Sequence, residues 1–206
     1  MLLKLLESLI IGASIAAIPG PTFFELIRRT LSKGLHSGVF LVLGEFSGNF
    51  LLLLAVFFGV SHLLTSTLAK IILYIIGSII LLIISSSALR LKQENIETSY
   101  EIKQNKPAKE SFLTGFSIAV SSPIVIALWV SLSGSYLSVF PSKILAFTNI
   151  LLIAIGVLLF FIPLALIVHK TRHKIPPKYV VLLSKIFGII LIVYGLWLLA
   201  EAIKLM

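Results

Sequence analysis

The chain has 206 residues, of which 58% are hydrophobic and only 12% are charged, and its formal net charge is +9. Soluble domains average about 25% charged residues, so this composition excludes an ordinary water-soluble core and indicates an integral membrane protein. The sequence contains no cysteine, which excludes disulfide exchange and thiolate metal centres.

Six apolar runs are long enough to cross a bilayer, which takes roughly 20 helical residues. We predict these spans at about 5–27, 37–60, 68–90, 112–136, 144–168 and 180–203. A polar segment lies between the third run and the fourth. The predicted organisation is therefore a first three-helix repeat at 1–90, a cytoplasmic linker at 91–111 and a second three-helix repeat at 112–206.

Two of the predicted spans contain proline well inside the apolar run. The first contains Pro19-Gly20-Pro21, and the fourth contains Ser121-Ser122-Pro123. Proline removes an N–H donor and clashes with the preceding turn, so each helix should break there. In lipid, a broken helix is tolerated only where it is buried in protein or lines a cavity, and paired breaks point to a transporter's binding site. We predict that these six residues form the substrate site.

The segments that precede the two breaks match each other. Residues 7–16 read ESLIIGASIA and residues 110–119 read ESFLTGFSIA, with six identities in ten ungapped positions. Because three spans is an odd number, two such halves would enter the bilayer in opposite directions. The predicted fold is an all-α integral membrane protein of six transmembrane helices in two inverted three-helix repeats, with broken first and fourth helices. Chance recurrence of Gly, Ser, Ile and Ala is the alternative.

Positive charge is concentrated in the odd-numbered connections between spans. By the positive-inside rule these connections are cytoplasmic, which places both termini outside the cell. The charge is thus a topology signal, and no nucleic-acid partner is predicted. The basic residues of these connections are Arg28, Arg29, Lys33, Arg90, Lys92, Lys103, Lys106, Lys109, Lys170, Arg172, Lys174 and Lys178.

Glu45 is the acidic residue that falls well inside a predicted span. Carboxylates inside a membrane are energetically expensive and usually mark ion pathways or proton relays. We therefore predict that Glu45 couples transport to protonation or ion movement, and we place Asn49, one helical turn further on the same face, in the substrate site. The alternative puts Glu45 near the cytoplasmic interface, paired with the basic residues between the first two spans.

Glu25 is a second candidate for ion coupling. It precedes Arg28 by three residues and Arg29 by four, a spacing at which opposite charges on a helix attract each other. A simple helical ion pair is therefore the competing interpretation of Glu25.

The order Pro19-Gly20-Pro21, then Arg28-Arg29, then glycines at 34, 38, 44, 48 and 59 resembles the lysine exporter (LysE/RhtB) family of amino-acid efflux proteins. The resemblance implies six spans, two inverted three-helix repeats and export driven by a proton or ion gradient. Two positions depart from that family. Ser122-Pro123 stands where the family usually has Asn-Pro, and Glu25 stands where an apolar residue is expected, which leaves the substrate open.

We therefore predict a multi-pass secondary transporter of the cell membrane, such as an antiporter, that exports amino acids or related small metabolites. It needs no cofactor, and its partners are a small-molecule substrate and membrane lipid. A second copy of the chain is a further candidate, because the Gly-x-x-x-Gly spacing of Gly44 and Gly48 lets helix backbones approach closely.

Three alternatives use the same hydropathy profile. A divalent-metal exporter needs several oxygen ligands, but the sequence has no aspartate, and no metal site is predicted. A passive channel would need neither protonation nor alternating access. An intramembrane serine protease is suggested by Ser131-Leu132-Ser133-Gly134, which lacks the first glycine of a Gly-x-Ser-Gly motif; the histidines fall at span ends, so no enzyme activity is predicted.

Overall fold

The structure, a computed structural model, describes residues 2–60, 66–93, 108–140 and 142–206. Within these ranges the regular elements are all helices. A π-helical turn, Val56–Val60, extends the third helix, and a 3-10 turn, Arg172–Lys174, extends the seventh. In chain order the α-helices are α1 (Leu2–Ala16), α2 (Pro21–Lys33), α3 (Leu35–Ala55), α4 (Thr67–Leu89), α5 (Ala108–Val120), α6 (Pro123–Val139), α7 (Lys143–Thr171) and α8 (Pro177–Leu205).

Four of these helices, α3, α4, α7 and α8, are individually long and apolar enough to cross a membrane. Two bent pairs pass the same test when each is taken as one span: α1 with α2, bent by 74°, and α5 with α6, bent by 64°. The described residues therefore hold up to six spans, and the prediction of an all-α multi-pass membrane protein is confirmed. Helix α5 begins within the predicted linker, and residues 94–107 of that linker lie outside the described residues.

Both breaks occur where the prolines predict them. Pro21 is the first residue of α2 and Pro123 is the first residue of α6. At a first helical position the missing N–H is not needed, but the same ring prevents the preceding helix from continuing. Gly20 lies before Pro21 in an extended conformation, with φ −134° and ψ −174°. Each proline thus ends one half-helix and starts the next.

Helices α1 and α7 cross at close range through glycine. A Cβ atom added to Gly12 would overlap the carbonyl oxygen of Ile153, and one added to Gly156 would overlap that of Leu9. Small residues allow such backbone approach between membrane helices. The first half-helix of the chain is therefore packed against the long helix α7.

Helices α3 and α5 cross in the same way. A Cβ atom on Gly115 would overlap the carbonyl oxygen of Leu41, and one on Gly44 would overlap that of Phe112. Gly115 and Phe112 occupy the positions of Gly12 and Leu9 in the two matched sequence segments. The two crossings thus use residues at matching positions of the two similar segments.

Apolar side chains fill the interior between these crossings. One cluster, including Leu53, Trp129 and Ile150, lies where α3, α6 and α7 meet. Another lies between α4, α5 and α8 and includes Leu81 and Ile118. Many large apolar side chains point outward, as expected of a surface in contact with lipid tails; examples are Ile10, Leu51, Ile79, Leu159, Ile167 and Val193.

Candidate functional site

The two helix breaks meet at one small hollow. Pro21 reaches it from the first break, and Ser121 and Ser122 reach it from the second. The free space is about 10 Å³, which is room for roughly one water molecule. An amino acid would need the surrounding helices to separate. The remaining lining residues come from α4, α5 and α8 and are Gly77, Leu81, Ile118, Tyr194 and Leu198.

At the first break, α2 starts without a side-chain cap. Gly20 occupies the N-cap position and has no side chain with which to accept a hydrogen bond. A Cβ atom added to Gly20 would meet no heavy atom of the described residues within 4 Å. Neither the backbone conformation nor packing therefore demands glycine here. The first N–H groups of α2, at the positive end of its dipole, are available to an anionic group.

At the second break, serine side chains form hydrogen bonds with the neighbouring backbone. Ser122 Oγ accepts a hydrogen bond from the Val125 N–H at 3.5 Å, and Ser121 Oγ donates to the Ser117 carbonyl at 2.5 Å. Gly77 of α4 lies directly against this break, since a Cβ there would stand 2.6 Å from the Ser121 carbonyl oxygen. Glycine at position 77 thus lets α4 close over the break.

Glu45 lies in α3 and is only 8% exposed. Its carboxyl oxygen Oε2 is buried and has no hydrogen-bond partner among the described residues. Asn49 lies one helical turn further along the same face of α3, and its Oδ1 accepts a hydrogen bond from Trp129 Nε1 at 2.9 Å. The neighbour of Glu45 on α3 therefore binds α6, the half-helix that follows the second break.

Glu25 is fully buried, and two arginines of its own helix bind it. Its Oε2 accepts from Arg28 Nε at 2.7 Å; its Oε1 accepts from Arg28 Nη2 at 2.7 Å and from Arg29 Nε at 2.9 Å. This geometry matches the helical ion pair that the sequence spacing indicates, and both carboxylate oxygens are occupied. Arg28 and Arg29 bind Glu25, and Lys33 binds Glu110, so the alternative pairing of Glu45 with these basic residues is not seen among the described ion pairs.

Arg29 also joins α2 to α5. Its Nη1 donates to Ser111 Oγ at 3.0 Å and to Glu110 Oε1 at 3.4 Å, and its Nη2 donates to Thr114 Oγ1 at 3.1 Å. Lys33 Nζ donates to the same Glu110 oxygen at 2.8 Å. Charge-assisted hydrogen bonds of this kind are stronger than neutral ones, so the second half of the first broken span is tied to the first half of the other.

Comparison with known proteins decides the family. The model of the LysE type translocator family matches residues 13–202. The chain belongs to that family. A Bacillus subtilis (strain 168) protein named "Putative amino acid efflux protein YcgF" is 26% identical over 204 residues, which cover 97% of this chain and 96% of that protein. No solved structure matches the chain significantly. The resemblance read from the sequence is confirmed, and the protein is a multi-pass membrane transporter.

The translocator brings together only part of the predicted substrate site. Pro21, Ser121 and Ser122 line the hollow, and Pro123 begins the adjoining half-helix. Pro19 is exposed at the first break, and Gly20 lies beside the hollow without lining it. Asn49 instead binds Trp129 and is not among the lining residues.

Sequence reasoning missed five lining residues of the translocator, Gly77, Leu81, Ile118, Tyr194 and Leu198. For Gly77 and Tyr194 the available signal was a small or polar residue inside an apolar span. Nothing in one sequence shows that α4 and α8 close over the breaks.

The structure describes the side chains on which two alternatives depend, the divalent-metal exporter and the serine protease. Within residues 2–60, 66–93, 108–140 and 142–206, no group of three His, Cys, Asp or Glu side chains is placed to hold a metal ion. Ser133, the would-be protease nucleophile, has a buried Oγ without a hydrogen-bond partner in these ranges. A serine nucleophile requires an adjacent base, and no base among the described residues forms a hydrogen bond with Ser133.

Proposed function

We propose that this translocator is a secondary transporter that exports amino acids or related small metabolites across the plasma membrane. The observation that carries the proposal is the meeting of both helix breaks in one hollow. Broken helices at mid-span form the binding sites of many secondary transporters, because their free backbone groups bind polar substrates. The name of the Bacillus subtilis relative supports amino-acid efflux.

The substrate carboxylate binds at the start of α2. This end is uncapped, and Gly20 leaves open space beside it. Helix N-termini favour anions because free N–H groups and the helix dipole act together. Ser121, Ser122 and Tyr194 line the other side of the hollow, and hydroxyl oxygens can accept hydrogen bonds from an amino group.

The two halves, 1–90 and 112–206, form inverted repeats with both termini outside the cell. The paired glycine crossings support this arrangement, because α1 packs on α7 as α5 packs on α3. The first half-helix of each half thus packs against the middle span of the other half. Movement between these two composite units would open the hollow to either side in turn, as alternating access requires.

Glu45 couples this movement to a proton or ion gradient. The support is its burial, its unpaired oxygen and its position one helical turn before Asn49, which binds Trp129 on α6. Gaining or losing a proton changes which hydrogen bonds a carboxyl group can make. Protonation of Glu45 would therefore alter the contact that holds the half-helix at the second break.

Counterflow in proteoliposomes tests the transport proposal. Vesicles preloaded with one unlabelled amino acid should transiently concentrate the labelled form, which a passive channel cannot do. Each of the common amino acids is tested in turn, with divalent cations as a parallel series. Accumulation of a divalent cation with no amino-acid counterflow would overturn the proposal in favour of a metal exporter.

Glu45→Gln tests the coupling. We expect it to abolish gradient-driven efflux but to leave counterflow intact, since exchange needs no net proton or ion movement. Glu7→Gln is the matched control, because Glu7 is exposed on α1 and its loss should change neither assay. Gradient-driven efflux at the wild-type rate in Glu45→Gln would remove Glu45 from the coupling mechanism.

A further inference from the structure

A second pocket, of about 500 Å³, lies where α2, α3 and the end of α7 meet. It is larger than the hollow at the breaks and shares no lining residue with it. Its position is the end of two predicted membrane spans, so it lies at the level of the lipid headgroups. The lining residues used below are Lys33, His36, Val39, Phe40, His169 and Arg172.

One side of this pocket is lined by basic side chains, two of which are packed into the protein. Arg172 is buried, at 5% exposure, and its guanidinium group lies against Gly34 in the turn between α2 and α3. Gly34 has φ +93°, a conformation that favours glycine. His169 contributes a buried Nδ1 with no hydrogen-bond partner among the described residues. Lys33 also lines the pocket, while its Nζ binds Glu110.

The other side of the pocket is apolar. Val39 and Phe40 lie in the first turns of α3, where the apolar span begins, and both are partly exposed. The Phe40 ring packs against the His36 ring, with centroids 4.6 Å apart. Moving along α3 toward the membrane interior, the lining thus changes from cationic to hydrocarbon.

We propose that this pocket binds an anionic phospholipid. The headgroup phosphate lies beside Lys33, His169 and Arg172, and an acyl chain lies along Val39 and Phe40. Basic pockets between membrane helices bind anionic headgroups through charge, and the adjoining apolar wall selects a ligand that carries a hydrocarbon tail. Free phosphate would use the cations alone. The proposal is independent of which substrate the transporter exports.

Native mass spectrometry and thermal unfolding of the detergent-purified protein test this site with three probes. Phosphatidylglycerol should bind one molecule per chain tightly and raise the unfolding temperature. Phosphatidylcholine and inorganic phosphate, each at the same concentration, should do neither. Equal binding of phosphatidylcholine, or displacement of phosphatidylglycerol by millimolar phosphate, would overturn the assignment to an anionic lipid.

Variants locate the binding within the pocket. Arg172→Gln should weaken phosphatidylglycerol binding about fivefold or more, the factor expected from one basic group at a membrane surface. Lys178→Gln removes an exposed charge in the first turn of α8, six residues after Arg172, and should leave binding unchanged. If Arg172→Gln does not fold, Val39→Glu provides the test, because it adds a negative charge to the acyl wall. Wild-type binding by Val39→Glu would refute the proposed location.

Discussion

The half-helices that follow the two breaks begin alike and then diverge. Counted from the proline that starts each one, Glu25 and Arg29 of α2 correspond to Ala127 and Ser131 of α6. The α2 pair is buried, whereas both α6 residues are exposed. The same backbone break is therefore followed once by an enclosed charged helix and once by a neutral helix with an open face.

This difference assigns different roles to the two half-helices. Charge-assisted hydrogen bonds of 2.7 to 3.1 Å hold Arg28 and Arg29, and two of these bonds, both from Arg29, cross to α5. Helix α6 is held by apolar packing and by the neutral hydrogen bond from Trp129 to Asn49. Moving α2 away from α5 would break the bonds of the buried Arg29 guanidinium group to Ser111 and Thr114, and hydrogen bonds to a charged group cost more to lose than a neutral one. We infer that α2 is the fixed side of the site and α6 the moving side.

Removing the charge of Glu25 should have the largest effect on stability. Glu25→Gln leaves two buried guanidinium groups without their carboxylate, and breaking a buried ion pair in this way costs about 3–5 kcal/mol. We expect a large fall in the unfolding temperature and in the yield of folded protein. Thermal unfolding in detergent, followed by fluorescence-detected gel filtration, measures both.

Glu201→Gln is the control for Glu25→Gln. Glu201 forms an ion pair with Lys204 at 2.7 Å, three residues apart as Glu25 and Arg28 are, but both partners are partly or largely exposed. Exposed pairs contribute roughly 0–1 kcal/mol, so this variant should unfold close to the wild-type temperature. If both variants lowered the unfolding temperature equally, the buried ion pair of α2 would contribute no more to stability than an exposed pair on a surface helix.

Sequence predicted the local features of this comparison and missed the distant ones. The breaks followed from Pro21 and Pro123, because proline acts on its own helix, and the Glu25–Arg28 pair followed from helical spacing. The bonds from Arg29 to α5 and from Trp129 to Asn49 join residues about 80 positions apart. Nothing in one chain specifies such contacts before the helices are packed. Gly77 and Tyr194 were missed for the same reason.

Removing the Trp129 indole donor should have an intermediate effect. Trp129→Phe leaves the buried Asn49 Oδ1 without its donor and opens space in the apolar cluster, which together cost about 1–3 kcal/mol. If α6 is the moving side, gradient-driven efflux should also fall while counterflow persists, as in Glu45→Gln. Trp197→Phe, at a residue 43% exposed on α8, should change the unfolding temperature little. Normal gradient-driven efflux in Trp129→Phe would show that the contact of α6 with Asn49 takes no part in the coupling.

Substitutions at the two N-cap positions, Ser122 and Gly20, should have the smallest effect on stability but a clear effect on transport. Ser122→Ala removes the only side-chain oxygen that caps α6 among the described contacts, at a cost of about 1 kcal/mol. Gly20→Ser gives α2 a cap and should alter stability by only a few tenths of a kcal/mol, since serine and glycine differ by roughly that much as N-caps.

Gly20→Ser and Gly20→Ala together decide why the first break is uncapped. Both add a Cβ atom to open space, so both should fold, but only serine offers an oxygen to the free N–H groups of α2. If those groups bind the substrate carboxylate, serine competes with it, and the substrate concentration for half-maximal counterflow should rise several-fold more in Gly20→Ser than in Gly20→Ala. Equal impairment would mean that space, and not free N–H donors, is what the glycine provides. Wild-type transport by both would place the substrate away from the first break altogether.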